Sequence, residues 1–385
     1  MFDFDLSFFD LDHAALKMIW WNLEGALLLG YALLGGFDLG VGILLPLAAR
    51  TKNEQRMFVD AIAPTWDGNQ VWLIVAVAVL FAGWPLVYAA LFSTAYGIMA
   101  LLVLALALRP LAFEGRGKLS SPMGQSLCDW GLFLGSSLSV FLFGAAAGSL
   151  FLGLPFAFDD DMRLVRESAF PIFFHPLSLI SGLASVALAA MHGAAFLLLR
   201  LPSSFSARPR QALWVSALFF VAAFSGALWM AMHAEGYHIT SLAEVTEGVI
   251  DLRAKEVRLA PYAWMDNFHA HRLWWLAPLA ALAGALTALL GRGRGFLAFF
   301  STSVAVAGTA LTFGFALFPF VLPSSLEPSH SLTIWDAASS RKTLLVMFWA
   351  AVVFLPLALF YTAWAYLAMR GKVRVEDSEL EGGGY

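Results

Sequence analysis

Long apolar stretches alternate with short polar connections along the whole chain. A helix needs about 20 mostly apolar residues to cross the hydrocarbon core of a bilayer, and windows of that kind recur here. The pattern predicts nine spans, at about residues 16–47, 57–80, 84–111, 126–153, 174–199, 211–233, 273–290, 296–320 and 343–368. We therefore expect an all-α integral membrane protein with about nine transmembrane helices.

The spacing of these spans predicts a single polytopic membrane domain over residues 1–385. Short connections favour packing between helices that follow each other in the chain. We therefore predict a first group of four helices within residues 1–154 and a second group within 174–320. The last helix, at residues 343–370, is predicted to lie at the periphery.

The connections between the spans are polar but too short to form further domains. The longest runs over residues 234–272, and a short amphipathic helix is predicted within it at residues 239–259. If the odd-numbered connections face the cytoplasm, that side carries 14 of the 23 basic residues. Since basic residues accumulate in cytoplasmic loops, this predicts an N terminus outside and a C terminus in the cytoplasm.

Composition narrows the kind of chemistry that the chain can carry. Hydrophobic residues make up 60% of it and charged residues 13%, with a net charge of −4 that gives no reason to expect a nucleic-acid partner. The only cysteine, Cys128, excludes an intrachain disulfide and a cysteine-based metal cluster. No zinc motif, phosphate loop or dinucleotide fingerprint is present, and we predict no metal site.

A polar island interrupts the second predicted span, where residues 62–72 read IAPTWDGNQVW. An ionisable group at bilayer depth is costly unless it is paired or hydrated, so Asp67 is a candidate functional residue. One interpretation is that Asp67 caps a helix. The other is that it lies on a hydrated proton path, with Trp66 fixing its position and Gly68, Asn69 and Gln70 supporting it.

Two further acids lie in the first predicted span. Asp38 stands within GGFDLGVG, at residues 35–42, where the glycines permit close helix contacts. Glu24 lies 14 residues earlier, about four helical turns and 21 Å away on the same face. Asp38 can be a hydrogen-bonded acid that fixes helix packing, or it can share a proton relay with Glu24 and Asp67.

These strings resemble the second subunit of bacterial cytochrome bd-type quinol oxidases. The resemblance extends over nearly the whole chain, because further segments agree in the same order: FAGWPLVYAA (81–90), LRPLAFE (108–114), CDWGLFLGS (128–136), FPFVLPSS (318–325), SLTIWDAASS (331–340) and YTAWAY (361–366). Where many members of that family read DGFD, this chain has a glycine at position 35, so one acid is absent.

The resemblance implies a subunit of an electrogenic, non-pumping oxidase in the bacterial cytoplasmic (inner) membrane. Such a complex oxidises quinol and reduces dioxygen to water. It implies a partner, subunit I, that carries the b-type and d-type haems, and it allows small single-helix subunits. This chain itself would support subunit I and offer a cytoplasmic proton path, with the motif around Asp67 on that path.

The resemblance also allows a bound quinone or lipid whose head group is held by Arg109 near Trp66. The other interpretation of Arg109 is a cationic anchor at the cytoplasmic end of the third span. His175 and His192 are 17 residues apart, about 25 Å along a helix, so they cannot ligate one iron together. No haem ligand of the family maps onto this chain, and we expect His192 to be a buried, hydrogen-bonded histidine.

Two other functional classes fit the same pattern of polar, glycine-broken helices. A secondary transporter places acids near the middle of the membrane, although no inverted repeat is visible in this sequence. A purely structural scaffold would use the acids only to hold helices together.

Overall fold

The computed structural model describes residues 11–119, 121–242, 255–290 and 294–373. These residues form thirteen α-helices and six short strands. In chain order they are α1 (His13–Ala48), α2 (Lys52–Ile62), α3 (Trp66–Gly83), α4 (Pro85–Thr94), α5 (Tyr96–Lys118), α6 (Pro122–Leu150), β1 (Phe156–Phe158), β2 (Leu164–Arg166), α7 (Phe170–Phe173), α8 (Pro176–Arg200), α9 (Ala207–His233), β3 (Glu235–Leu242), β4 (Lys255–Pro261), α10 (Asp266–Ala270), α11 (Leu276–Leu290), α12 (Gly295–Leu317), β5 (Phe320–Leu322), β6 (Leu332–Thr333) and α13 (Arg341–Ala368).

Within the described ranges, nine helices are long and apolar enough to cross a membrane. This confirms the predicted all-α membrane fold. The second and third predicted spans are each divided. Residues 57–62 belong to the short helix α2 and the span itself is α3, while the stretch that begins at residue 84 splits into α4 and α5.

The helix α2 owes its start to a capping box. The Thr51 hydroxyl accepts a hydrogen bond from the Glu54 N–H at 3.2 Å, and the Glu54 carboxylate accepts one from the Thr51 N–H at 2.9 Å. This reciprocal pair satisfies two N–H groups that the helix itself cannot pair. Arg208, next to the start of α9, donates to the same carboxylate at 2.6 Å. This contact from Arg208 joins α2 to α9 at one end of the bundle, which we call the α2 end.

The strands form three antiparallel hairpins, β1–β2, β3–β4 and β5–β6, at the opposite end, which we call the hairpin end. The predicted amphipathic helix is wrong for residues 239–242 and 255–259, which belong to β3 and β4. Residues 243–254 lie outside the described residues. Exposure alternates along the start of β4, where Lys255 and Val257 are buried and Glu256 and Arg258 are exposed. This period of two is typical of a strand.

A buried ion pair stabilises the hairpin end. The Lys255 ammonium lies 2.5 Å from the Asp336 carboxylate, and each side chain is only 2% exposed. Asp336 also accepts hydrogen bonds from the backbone N–H and the hydroxyl of Thr333, at 2.8 and 2.9 Å. The pair therefore ties β4 to the segment between β6 and α13. Lys17 of α1 reaches the same segment and donates to the Trp335 carbonyl at 2.5 Å.

The first helix, α1, lies at the centre of the bundle and packs against α3, α6, α8 and α12. Its closest approach is to α8, where Gly40 faces Gly193. A Cβ on Gly40 would overlap the carbonyl group of Ala189, and one on Gly193 would overlap the backbone of Gly40. The two backbones therefore touch without intervening side chains. Because α1 contacts helices from both predicted four-helix groups, these contacts do not separate the two groups. The division into two groups stays a prediction.

Candidate functional site: a buried polar network and an exposed acid

Asp38 is the centre of a buried polar network. Its side chain is completely buried in α1, and its Oδ2 accepts a hydrogen bond of 2.6 Å from the amide nitrogen of Asn69 in α3. The same amide nitrogen donates to the Leu34 carbonyl at 3.2 Å. The amide oxygen of Asn69 accepts a hydrogen bond of 2.9 Å from the Tyr366 hydroxyl of α13. One amide thus connects three helices.

The carboxyl group of Asp38 also has charged and polar neighbours to which it is not hydrogen-bonded. Arg109 of α5 is only 2% exposed and lies within electrostatic reach of both Asp38 and Tyr31. Asp38 Oδ1 and Arg109 Nε and Nη2 have no hydrogen-bond partner among the described residues, while the Tyr31 hydroxyl lies close to the Gln70 side chain. Buried polar atoms of this kind are usually satisfied by ordered water or by a bound polar group.

Arg109 therefore does not occupy the position expected of a surface anchor. It lies nine residues before the end of α5, about 13 Å along the helix, and its side chain points into the bundle. A buried guanidinium needs a counter-charge, which the Asp38 carboxylate supplies. Its role at a quinone or lipid head group stays a prediction.

Tyr31 accounts for the glycine at position 35. A Cβ on Gly35 would lie 2.5 Å from Cε2 of the Tyr31 ring, so the ring covers the position that a side chain would need. The acid absent from this part of the motif could not be accommodated without moving that ring. Tyr31 places a phenol hydroxyl in this region of α1 instead.

Asp67 lies apart from this network. It is exposed in the first turn of α3, where the N-cap residue is Thr65, and it accepts no hydrogen bond from any residue that the structure describes. Helical residues two positions apart point about 200° away from each other, so Asp67 faces away from the side that buries Asn69. Gly68 beside it is also exposed. The capping interpretation of Asp67 has no hydrogen bond to support it.

Trp66 begins α3 and is fixed by aromatic stacking. Its ring lies parallel to that of Phe113, one turn beyond Arg109 on α5, with centroids 4.9 Å apart and an interplanar angle of 5°. Trp66 therefore contributes to the contact between α3 and α5 and is partly exposed, whereas Arg109 is buried. A head group approaching from outside the chain would meet Trp66 first.

Glu24 is the third candidate acid. Its side chain is 7% exposed, and its Oε2 has no hydrogen-bond partner in the described part of the chain. It lies on α1 about 21 Å from Asp38, toward the hairpin end. The structure therefore does not bring the three candidate acids together: two are buried at different depths of α1, and the third is exposed on α3.

His192 is fully buried between α1, α8 and α12. Its Nε2 lies 3.0 Å from the Leu33 carbonyl oxygen, which can only accept, so this nitrogen carries the proton. Nδ1 lies 2.8 Å from the Thr302 hydroxyl oxygen, whose one proton is shared between this nitrogen and the Phe299 carbonyl at 3.0 Å. Both ring nitrogens are engaged, as sequence reasoning expected of a buried histidine. His175 instead caps α8 by accepting a hydrogen bond from the Leu177 N–H at 3.2 Å.

Sequence reasoning missed two members of the network, Tyr31 and Tyr366. Tyr366 stands in the segment YTAWAY, which carried part of the resemblance, but nothing in a local pattern pairs it with a residue 297 positions away. Tyr31 precedes the glycine pair at positions 35 and 36 by about one turn, and that spacing was the available signal.

The comparisons with known proteins agree with this architecture. The family model for cytochrome bd terminal oxidase subunit II matches residues 16–369. The chain is 40% identical over 372 residues to "Cytochrome bd-I ubiquinol oxidase subunit 2" of Escherichia coli (strain K12), covering 96% of this chain and 98% of that protein. It is 38% identical over 366 residues to "Probable cytochrome oxidase subunit 2" of Haemophilus influenzae, covering 94% of this chain and 96% of that protein.

A solved structure of bd oxidase from Geobacillus thermodenitrificans has the same fold. The match has a TM-score of 0.65 at 17% identity and covers 92% of this chain and 99% of the other. The matched family model and the two relatives span almost the entire bundle that holds the Asp38 network. This chain therefore belongs to the cytochrome bd terminal oxidase subunit II family.

Proposed function

We propose that this chain is the haem-free second subunit of a bacterial complex that oxidises quinol and reduces dioxygen to water. The names of the relatives supply the reaction class. The chain would support a haem-bearing subunit I and offer a proton path from the cytoplasm. In this proposal it lies in the cytoplasmic membrane with the hairpin end and N terminus outside, and with the α2 end and C terminus in the cytoplasm.

The observation that carries the proposal is an acid on an apolar helix face. Asp67 begins an exposed stripe along α3, spaced by three or four residues, that continues through Val71, Ile74, Ala78 and Phe81. We call this set the α3 stripe. Along with α5 and α13, α3 is among the least buried of the long helices in the described chain. The apolar members could face lipid, but Asp67 requires another explanation.

The depth of Asp67 supports contact with a partner. Asn69 pairs with Asp38, which lies ten residues, or about 15 Å, before the end of α1. Asp67 is two residues nearer that end and therefore lies about 12 Å inside it. Since α1 is about 54 Å long against a hydrocarbon core of ~30 Å, and Asn69 bonds Tyr366 only two residues before the end of α13, Asp67 lies near the boundary of the apolar layer. A carboxylate at this boundary is accommodated by water or a polar partner surface, and not by hydrocarbon. We infer that the α3 stripe docks against subunit I.

The hydrogen bonds of Asp38 support a role in holding a proton. The amide N–H of Asn69 fixes Oδ2, and an amide does not readily release that proton, so Asn69 positions the carboxylate and does not relay protons itself. The unpaired oxygen, Oδ1, is then the atom at which a proton can enter or leave. Tyr31 and Arg109 interact electrostatically with Asp38 without hydrogen-bonding to it, and bound water could complete the connection.

The other predicted site residues fit more peripheral roles in this proposal. Glu24 would continue a path toward the hairpin end, and its distance from Asp38 requires water or further side chains in between. Trp66 would present its ring to a quinone or lipid head group, with Gly68 leaving open space beside it because nothing lies within 4 Å of its Cβ position. Arg109 would reach such a group only from within the bundle.

Docking can be tested with a substitution that the isolated chain tolerates. Gly68→Phe meets no described atom of this chain near Cβ, but it would clash with a subunit seated on the α3 stripe. Gly314→Phe, at another glycine with equally open surroundings, is the matched control. We expect Gly68→Phe to lose co-purified haem and the large partner while the control keeps both. Equal haem content in the two variants would overturn the docking assignment.

The proton role of Asp67 needs a separate experiment. Asp67→Asn keeps the shape of the side chain but cannot carry a proton, so quinol-dependent oxygen consumption should fall while haem content stays normal. Glu114→Gln is the control, because Glu114 is exposed near the end of α5 and pairs only with Lys118, 3.2 Å away. Unchanged oxygen consumption by Asp67→Asn between about pH 6 and 9 would rule Asp67 out as an obligatory relay.

A further inference from the structure

A cavity of about 320 Å³ opens at the α2 end, between the ends of α2, α8 and α13. Its walls are mainly apolar and include Phe196, Leu199 and Phe299. Three cations, Arg200, Arg370 and Lys372, also line it, and no aspartate or glutamate does so among the described residues. Such a combination favours a ligand that is anionic at one end and apolar at the other.

The cationic part of the cavity is held in place by hydrogen bonds. Arg200, the last residue of α8, donates to the carbonyl oxygens of Met369 and Gly371 in the turn that follows α13. The Val373 N–H donates back to the Arg200 carbonyl at 2.9 Å. Gly371 has a φ of +118°, a conformation that side-chain-bearing residues rarely adopt. The turn is therefore fixed against the end of α8.

The cavity lies at the level where lipid head groups are found. Arg200 ends one apolar helix that could cross a membrane, and residues 369–373 follow directly after another. Arg370 and Lys372 are exposed and form no ion pair with any acid in the described part of the chain. Their charges are available to an outside ligand, while the aromatic walls face the acyl region.

We propose that this cavity binds the phosphate-bearing head group of an anionic membrane phospholipid. Arg370 and Lys372 contact the phosphate, and the acyl chains lie against Phe196 and Phe299. Arg200 holds the turn and adds to the positive field. Pro64, Thr65 and Tyr366 also line the cavity, so it adjoins the start of α3, although neither Trp66 nor Arg109 is among its walls. The proposal does not depend on the proposed oxidase function.

The sequence itself offers a competing occupant. Four acids, Glu376, Asp377, Glu379 and Glu381, follow the cationic turn within residues 374–385. Charge complementarity alone would allow this segment to occupy the cavity. The lipid is favoured because the walls are apolar and the C-terminal segment is rich in glycine and acids, which gain little from such walls.

The experiment is native mass spectrometry of the purified membrane complex with phosphatidylglycerol titrated against phosphatidylcholine. The double variant Arg370→Gln/Lys372→Gln should bind phosphatidylglycerol about 30-fold more weakly, from roughly fivefold for each cation. Arg294→Gln removes another exposed arginine at the α2 end that does not line the cavity, and it should bind as the unmodified chain does.

Three outcomes would overturn the proposal. The first is equal phosphatidylglycerol binding by the double variant and the unmodified chain. The second is phosphatidylglycerol binding that appears only after residues 375–385 are deleted, which would assign the cavity to the chain's own acidic segment. The third is full displacement of the lipid by inorganic phosphate, which would indicate a simple anion site with no part played by the apolar walls.

Discussion

The amide nitrogen of Asn69 donates a hydrogen bond of 2.6 Å to Oδ2 of Asp38, and this contact fixes one oxygen of a completely buried carboxylate. Charge-assisted hydrogen bonds of this length are stronger than those between neutral groups. The contact also sets the register between α1 and α3, because the same nitrogen reaches the Leu34 carbonyl. Asn69 therefore has a structural task that its neighbour Asp67, on the opposite face, does not share.

Replacing Asn69 by Ala should destabilise the bundle by about 1.5–3 kcal/mol, the usual contribution of a hydrogen bond to a charged group. Tyr366→Phe removes only the neutral hydrogen bond to the same amide and should cost about 0.5–1.5 kcal/mol. Thermal unfolding of the purified complex measures both. A larger loss for Tyr366→Phe than for Asn69→Ala would contradict the assigned order of strengths.

Tyr31→Phe tests the side of Asp38 that faces Arg109. Phe keeps the ring that covers Gly35, so assembly and haem content should be unchanged. Removing the hydroxyl takes away one of the buried polar groups that interact with Asp38, so quinol-dependent oxygen consumption should fall severalfold with an altered pH profile. The measurement is turnover against pH, beside Tyr88→Phe as a control at a tyrosine outside the network. An unaltered profile would exclude the Tyr31 hydroxyl from the path.

Because Lys255 and Asp336 form a buried ion pair, we expect substitutions at these two residues to have non-additive effects on stability. Asp336→Asn leaves a buried ammonium without its counter-charge and should cost about 3–5 kcal/mol. Adding Lys255→Met removes the unpaired charge and should recover much of the lost stability. Protease resistance at the hairpin end, compared for single and double variants, gives the answer. Additive losses would mean that the two charges do not depend on each other.

The Gly40–Gly193 contact should tolerate no added methyl group. Gly40→Ala and Gly193→Ala each place Cβ inside the neighbouring backbone, so α1 and α8 must separate at a cost of about 3 kcal/mol or more. Gly25→Ala is the matched control in α1, because nothing lies within 4 Å of its Cβ position. The yield of folded complex after detergent extraction distinguishes them. Normal yield for both alanine variants at the contact would disprove the close approach.

Glu54 predicts a local response to acid at the α2 end. Burial acts to raise its pKa, but hydrogen bonds from the Thr51 and Arg50 N–H groups and the charge of Arg208 outweigh this, so the pKa lies below its ordinary value. A lowered folded-state pKa stabilises the folded form above the unfolded pKa of ~4.3, and that stabilisation is lost as the pH falls through the folded-state pKa.

Hydrogen exchange of the α2 amides should therefore accelerate as the pH drops below about 4, after correction for intrinsic exchange rates. Glu54→Gln should remove this dependence, whereas Glu114→Gln, at an exposed ion pair, should leave it in place. The same acid response in Glu54→Gln would assign it to other groups.

The membrane fold could be read from the sequence because hydrocarbon imposes one rule on every spanning segment: its backbone must pair within itself. That rule gave the nine spans. It could not locate the break at residues 63–65, because no side-chain cap marks the start of α3 and the break therefore depends on packing. The β3–β4 hairpin was mistaken for a helix because the polar residues of that connection obscure the short alternation at Lys255–Arg258.

Part of the candidate site could also be predicted from the sequence. Acids in apolar stretches are conspicuous, so Asp38, Glu24 and Asp67 could be named without a structure. The distance between Glu24 and Asp38 followed from helix geometry, but the exposure of Asp67 could not be predicted, since the face that α3 turns inward depends on neighbours far away in the chain. Tyr366 meets Asn69 across 297 residues, and Arg109 faces Asp38 from α5, so neither contact leaves a local sequence signal.

The central position of α1 has a consequence for biosynthesis. This helix is synthesised before α8, and its backbone contact with α8 requires about 150 more residues, which take roughly 8 to 30 s to synthesise. During that interval Asp38 and Glu24 are in the membrane, or held at the insertion machinery, without the neighbours that later bury them. An early-inserted helix with two acids must therefore wait for packing partners that have not yet been synthesised. Any delay between the synthesis of α1 and that of α8 prolongs the time during which proteases of the membrane can recognise the unpacked helix.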